Sequence, residues 1–357
     1  MIIPLNFCYN IANSKKREVI SLAKIYNVGV AGLNHDHIWG LLKSWLEQPN
    51  VRLVGVAESH EPLRERARRD FGIDKFYDSY EDLIDSEKLD IIQITCENSK
   101  HREITEYAAS KGINVIIEKP MAESYESALK MFDSARKSGV KLMINWPTTW
   151  NPAIRKALEM AKEGDIGRVF QFRYRAGHKG PKEIGCSIYF YSWLYDPKKN
   201  GAGAYMDFCG YGAHMAGYLL GKPLSVIAFG KNLVRDYIPA EDNAILIMEY
   251  EKAMAIAEAT WSQIGNVPGE NPVIYGSDGT IAVTRGEIIL FLDGKEPRVI
   301  PPGELPPYER NAVTYFLHCV ENDMIPEGLS DPELALQTQK ILSAGLESME
   351  TKKAVSI

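Results

Sequence analysis

The chain has 357 residues, too long for a typical single compact unit, so two domains are expected. It is 45% apolar and 25% charged, the composition of an ordinary globular protein, and no apolar run approaches the ~20 residues that span a bilayer. A net charge of −6 with no basic block beyond Lys15-Lys16-Arg17 gives no reason to expect nucleic acid or membrane as a partner, and five scattered cysteines without a Cys-x-x-Cys pair suggest reduced thiols in a cytoplasm.

Residues 1–25 read as an extension ending in a short helix. Its apolar piece "EVISLA" is broken by Glu18 and Ser21 and is too short for a signal-peptide core. "YNVGVA" is then a strand, and "HIWGLLKSWLEQ" a helix with Ile38, Leu41, Leu42, Trp45 and Leu46 at helical spacing. "VRLVGVAE" is a second strand, and "PLRERARRDFG" a helix between Pro62 and Gly72. "KFYDSYEDLID" holds a short strand and a short helix. "LDIIQIT" is a continuous apolar run, as in a sheet buried on both faces. "HREITEYAASKG" is a helix, "INVIIEKP" a strand ended by Pro120, "SYESALKMFDSARKSG" a helix from Ser124 to Gly139, and "VKLMIN" a sixth strand. This alternation builds right-handed βαβ units. Residues 26–146 are therefore expected to form a Rossmann-type, doubly wound parallel sheet.

After the helix "NPAIRKALEMAKEGDIG" the pattern changes. "RVFQFRYRAG", "LSVIAFGKN", "NAILIMEYEKAMAIAEATW", "NPVIYGSDGTIAVTR" and "IILFLDG" are β-rich with short turns. Residues 147–357 are expected to form an α+β domain with a large, mostly antiparallel open sheet, covered by helices on one face. Two amphipathic helices, near 309–320 and 332–348, end the chain and are free to pack back on the first domain.

The stretch "VGVAGLNHDHIWG", Val28 to Gly40, has the outline of a dinucleotide-binding turn, but Gly-x-Gly-x-x-Gly reads here as Gly32-x-Asn34-x-x-His37. The first glycine allows the tight turn, the second a close approach to the pyrophosphate, the third close helix–strand packing. Gly32 keeps the first role. Asn34 is the residue type that best tolerates left-handed backbone in place of glycine, and its amide is a donor for a phosphate; His35 lies in the same turn. His37 implies a wider helix–sheet contact, and Asp36 is expected to cap the helix. Glu58, about 25 residues on at the end of the second strand, is where an acid holds the adenosine ribose hydroxyls. A carboxylate there repels a 2′-phosphate, so NAD is favoured. Ser59, His60 and Arg64 keep NADP open.

At "IIEKPMA", Ile116 to Ala122, the chain resembles the Gfo/Idh/MocA oxidoreductases, the family of glucose–fructose oxidoreductase and inositol dehydrogenase. "CENSKH" is similar to the family's Thr-Pro-x-x-x-x-His loop, with Glu97 in place of proline. "EGDIGRV", "GAGAYMDFCGYGAH" and "GSDGTI" match further landmarks in order, so the likeness covers about residues 27–350. The resemblance implies NAD(P)-dependent hydride transfer at a secondary hydroxyl of a sugar, polyol or sugar derivative. It also implies a substrate-binding second domain and a homo-oligomer, a dimer or tetramer. The family's Asp-x-Gly-x-His falls on Asp207 to Tyr211, so the acid/base position is Tyr211, a variation known among relatives.

Within this frame Lys119, beside Glu118 at a strand's carboxyl end, donates to the reacting oxygen and lowers the pKa of Tyr211 so that it serves as base. Asp207, a turn earlier, bonds Lys119 or a sugar hydroxyl. His214 is the rival acid/base or a substrate contact. Asn98, His101 and Asn145 are expected at the cofactor, and Trp146 near the nicotinamide and the substrate. His178 leads into "IYFYSWLYD", read as an aromatic lid over a carbohydrate or, alternatively, an oligomer contact. No His/Cys/Asp/Glu cluster has metal-ligand spacing, so no metal is expected. Two other readings stay open: an NAD-dependent glycosidase or lyase that oxidises a sugar transiently, and a non-catalytic sugar sensor.

Overall fold

The computed structural model describes residues 24–265 and 271–357; the extension expected over residues 1–25 lies, apart from Lys24 and Ile25, outside the described residues. The first domain is a six-stranded, all-parallel sheet. Its strands are β1 (Tyr26–Ala31), β2 (Val51–Ala57), β3 (Phe76–Tyr77), β4 (Ile91–Ile94), β5 (Asn114–Glu118) and β6 (Leu142–Asn145), in the order β3-β2-β1-β4-β5-β6. Helices α1 (Ile38–Leu46), α2 (Glu61–Phe71), α3 (Tyr80–Ser86), α4 (His101–Ser110) and α5 (Tyr125–Ser138) make the crossovers. Every residue of β4 is buried, as its unbroken apolar run requires. Ser124 accepts from the Ser127 amide and Gly139 takes a left-handed φ of +70°, so α5 starts and stops where its caps lie. Strand order reverses between β1 and β4, the point at which doubly wound sheets open a crevice.

After α6 (Pro152–Glu163) comes a nine-stranded, mostly antiparallel sheet: β7 (Val169–Gly177), β8 (Ser225–Lys231), β9 (Asn243–Glu249), β10 (Met254–Thr260), β11 (Val273–Gly276), β12 (Gly279–Thr284), β13 (Glu287–Leu292), β14 (Arg298–Ile300) and β15 (Val355–Ser356). One pairing, β7 with β10, is parallel. Between β7 and β8 lie α7 (Ile188–Leu194), α8 (Pro197–Asn200), a π-helical turn (Tyr205–Cys209) and α9 (Gly210–Leu220). Helix α11 (Pro332–Thr351) joins α6 and α9 on one face of this sheet. Helix α10 (Ala312–Glu321) instead buries Val313, Phe316 and Cys319 against Val28, Ile91 and Ile116 of the parallel sheet. The chain thus returns to its first domain before closing the second. Among the described residues no helix is long and apolar enough to cross a membrane.

Candidate functional site

The turn after β1 departs from the sequence expectation. Gly32 has φ +92°, and a Cβ there would lie 2.7 Å from the Cys96 Cβ and 2.8 Å from the Thr95 carbonyl oxygen, so the position requires glycine. Asn34 is not left-handed: Gly32 carries the turn's one positive φ. The Asn34 amide is also not free for a phosphate, since Nδ2 donates to Glu97 Oε2 at 3.0 Å. The Glu97 that replaces a proline therefore ties the loop after β4 to this turn. Asp36 does not cap α1. Its Oδ2 accepts the Ser187 amide at 2.6 Å, and the N-cap position is His37, with no side-chain capping bond.

A cavity of about 870 Å³ runs along the carboxyl ends of the strands from Gly32 past Glu58 to Asp78 and Lys100. Glu58 is buried at its wall; Oε2 accepts the Leu33 amide at 2.7 Å and Oε1 the His60 amide at 2.8 Å. Arg64 is committed elsewhere: its guanidinium binds the Tyr77 carbonyl at 3.0 Å and Asp78 Oδ1 at 2.6 Å. Asn98 and His101 lie beneath the loop and not on the cavity wall. Asn98 Nδ2 donates to Asn200, while the two ring nitrogens of His101 meet the carbonyls of Met121 and Cys96. They shape the cleft from below, where the expectation had them touching cofactor.

The ends of β5 and β6 meet the π-helical turn. Lys119, 4% exposed, donates from Nζ to Asp207 Oδ1 at 2.6 Å and to the Asp207 carbonyl at 3.1 Å. Burial, the largest single influence, lowers its pKa, but the Asp207 charge and hydrogen bond together with the other nearby groups more than reverse it, and the pKa is raised. Burial likewise pushes the Asp207 carboxyl up, and the Lys119 charge and hydrogen bond more than reverse it, leaving the pKa lowered. Asp207 Oδ2 accepts Trp261 Nε1 at 3.0 Å. Trp261 went unassigned in the sequence because it comes 54 residues later, at the end of a strand of the second sheet. Glu118, fully buried, accepts Asn145 Nδ2 at 2.8 Å on Oε2 and pairs with His37 Nδ1 at 2.9 Å on Oε1; Asn145 Oδ1 in turn takes Trp150 Nε1.

Tyr211 lies beside Lys119, with Nζ 4.8 Å from its ring centroid, over the ring and not at the hydroxyl. Lys119 lowers the phenol pKa, but burial is the larger effect and the net shift is upward. The expected base is therefore a phenol held in its protonated form. His214 is not a rival. Nε2 meets the Leu329 carbonyl at 2.8 Å, Nδ1 meets Thr338 Oγ1 at 3.0 Å, and the ring stacks on Trp146 at 4.8 Å. Burial lowers its pKa to about 4, so it is a neutral bridge between α9 and the C-terminal helix. Trp146, buried, also packs edge-on to Tyr211 at 5.4 Å. His178 does face this centre: its ring is 5.1 Å from Phe208, and Nδ1 accepts the Gly180 amide at 3.0 Å. Burial lowers its pKa, so Nε2 carries the proton of a neutral ring.

Two further expectations are corrected. The aromatic segment "IYFYSWLYD" forms α7 and lies on the dinucleotide turn, with Trp193 Nε1 donating to the Asn34 carbonyl at 3.0 Å and Phe190 4.3 Å from His35. Linear spacing also hid one cluster of metal-ligand types: among the described residues, ligand atoms of His35, His37 and Glu118 lie within 4.8 Å of one another. Folding joins residues from two strands' ends that lie far apart in sequence. Burial first, then the His37 and Lys119 charges, drive the His35 pKa well down, so its ring is neutral.

The chain has relatives among known proteins. Residues 26–146 match the model described as an oxidoreductase family with an NAD-binding Rossmann fold, and residues 154–282 match the GFO/IDH/MocA C-terminal domain. Levoglucosan dehydrogenase of Pseudarthrobacter phenanthrenivorans is 29% identical over 172 residues, which cover 48% of this chain and 43% of that protein, less than half its length. The scyllo-inositol 2-dehydrogenase (NAD(+)) of Bacillus subtilis is 22% identical over 84% of this chain and 86% of its own. A solved levoglucosan dehydrogenase, in complex with NADH and levoglucosan, superposes with a TM-score of 0.79 at 21% identity, covering 94% of this chain and 100% of the other.

Proposed function

The chain belongs to the Gfo/Idh/MocA oxidoreductase family, and from that premise we propose that it transfers a hydride between NAD and a secondary hydroxyl, or the matching carbonyl, of a sugar, polyol or sugar derivative. The observation that carries the reading is the buried Lys119–Asp207 pair at the carboxyl end of β5, one wall away from a turn that only glycine can make. The cleft fits a dinucleotide: Gly32 lines it, α1 begins beside it, and Glu58 stands where ribose hydroxyls are held. With Glu58 at the ribose and Arg64 tied to Asp78, the cofactor is NAD in preference to NADP. The nicotinamide supplies or accepts the hydride when bound.

The chain's own residues handle the proton. Two of the three Lys119 protons are committed to Asp207, which leaves one for the substrate oxygen. The Tyr211 phenol and the His178 Nε2–H are further donors, and Phe208 and Trp146 exclude water around them. Asp207 and Trp261 hold the ammonium in place. A site of protonated donors has a proton to give the alkoxide that hydride delivery forms, so near neutral pH it is poised for carbonyl reduction.

The outer face of the nine-stranded sheet, opposite its helices, exposes Phe229, Ile245, Phe291 and Val299, which supports a homo-oligomer built on that face. A panel of sugars and polyols, with their keto forms, followed by nicotinamide absorbance with NAD(H) and NADP(H), tests the assignment. Turnover with NAD(H) on at least one pair is expected, and no turnover across the panel would overturn it. Release of an eliminated group without net NADH would assign the lyase or glycosidase reading instead.

A further inference from the structure

The segment that crosses the cleft belongs to the second domain. Helix α7 is anchored to the dinucleotide turn twice: the Ser187 amide donates to Asp36 Oδ2 at 2.6 Å and Trp193 Nε1 donates to the Asn34 carbonyl at 3.0 Å. Between these anchors Tyr189 reaches the other end of the cavity, where its ring meets His60 edge-on at 4.9 Å. His60 is bonded through both its amide and its ring to Glu58, the acid at the end of β2. Tyr189, His60, Glu58 and Trp193 all line the same cavity. Tyr189 thus stands beside the ribose acid and away from Lys119, at the end of the cavity remote from the reacting centre.

We infer that Tyr189 is a nucleotide-binding residue: its ring, with His60, forms the wall against which the adenine of the cofactor packs, and Trp193 is the post that fixes this wall to the pyrophosphate turn. The inference rests on the NAD reading above. The chemistry agrees with the residues present. Beside Glu58 the cavity wall offers an aromatic face, and the Glu58 carboxylate repels a 2′-phosphate, so a planar heterocycle on an unphosphorylated ribose is the ligand it suits. Packing on Tyr189 joins the two domains through the nucleotide, and the two anchors at Asn34 and Asp36 hold the turn from above by α7 as well as from below by the sheet.

The full-length protein would be titrated calorimetrically with AMP, NMN and NAD, comparing wild type with Tyr189→Ala and Tyr189→Phe. AMP carries the adenine half alone and NMN the nicotinamide half. Tyr189 is only partly buried, so both variants should fold, and their circular dichroism and melting curves check that. Tyr189→Ala should weaken AMP and NAD roughly tenfold, the scale of losing one base–aromatic contact, and leave NMN unchanged. Tyr189→Phe should bind AMP as wild type does. Unchanged AMP affinity in Tyr189→Ala, or equal weakening of AMP and NMN, would overturn the inference while leaving the NAD assignment intact. Wild-type protein that binds neither AMP nor NAD would overturn both.

Discussion

Lys119 keeps its charge at a depth where burial would otherwise remove it, and the whole site is organised around that fact. Lys119→Met should lower turnover by about 10²–10⁴-fold, the usual worth of a positioned proton donor, with NAD affinity retained. Tyr211→Phe should fall by a similar factor, and the double variant only slightly further, because in the proposed reaction the two groups serve one oxygen. Since the Lys119 and Tyr211 pKa values are both raised, the protonated forms persist through neutral pH. Alcohol oxidation should therefore climb with pH into the alkaline range, while carbonyl reduction stays level near neutrality and falls on the alkaline side. Initial rates in both directions against pH check this; a neutral optimum for oxidation would place the base elsewhere. Glu58→Gln should weaken NAD by about 1–3 kcal/mol, read by calorimetry, through loss of a charged acceptor. Lys119, Asp207 and Glu58 were legible because each stands in a local pattern, at a strand's end or in a motif. Trp261 and the His37–Glu118 pair were not, since only folding brings them to the site. Nor could a linear pattern show that burial outweighs Lys119 at Tyr211.

At the scale of elements, alternating strands and helices announced the parallel sheet, because period and length separate the two kinds of segment. What was hidden is how α9 begins. The segment from Tyr205 makes a π-helical turn before α9, and its start is fixed by Glu241, whose Oε1 accepts the amides of Gly203 and Tyr205 at 2.7 and 3.0 Å. Nothing near Asp207 in sequence reports that. The same helix explains His214, which by its place one turn beyond Tyr211 reads as a rival acid/base yet is bonded through both ring nitrogens as a brace. Its folded pKa is about 4 against an ordinary value of about 6.5, so the unfolded chain takes up the proton first. The neutral ring's contribution is complete above pH ~6.5 and is lost as pH falls toward ~4, amounting to about 3 kcal/mol. Chemical denaturation of the wild type should show that decline, and His214→Asn should remove most of it while sparing activity relative to Lys119→Met. A dead His214→Asn with unchanged stability would return the acid/base role to that residue.

For the whole molecule, the two-domain order and the open sheet follow from where the hydrophobic period changes, near Asn145 to Pro152. The return of α10 to the first domain was only a possibility in the sequence, since an amphipathic helix does not name the surface it covers. The bare side of the nine-stranded sheet has a testable consequence. Paired neighbours Phe229 and Ile245 lie exposed on it, so Phe229→Glu should dissociate the proposed homo-oligomer in sedimentation velocity, while a wild-type monomer at micromolar concentration would remove that proposal.

The proposed reaction is hydride transfer to a sugar carbon beside Lys119. The most direct measurement supplies NADH carrying deuterium at both nicotinamide C4 positions with keto sugars and oxidised polyols, and locates the label by mass spectrometry. Deuterium should appear on a carbinol carbon of the reduced product with wild-type protein, and be lost by about 10²–10⁴-fold with Lys119→Met. Label that stays on the nicotinamide with every such substrate, or transfer that proceeds undiminished in Lys119→Met, would contradict hydride transfer at this site.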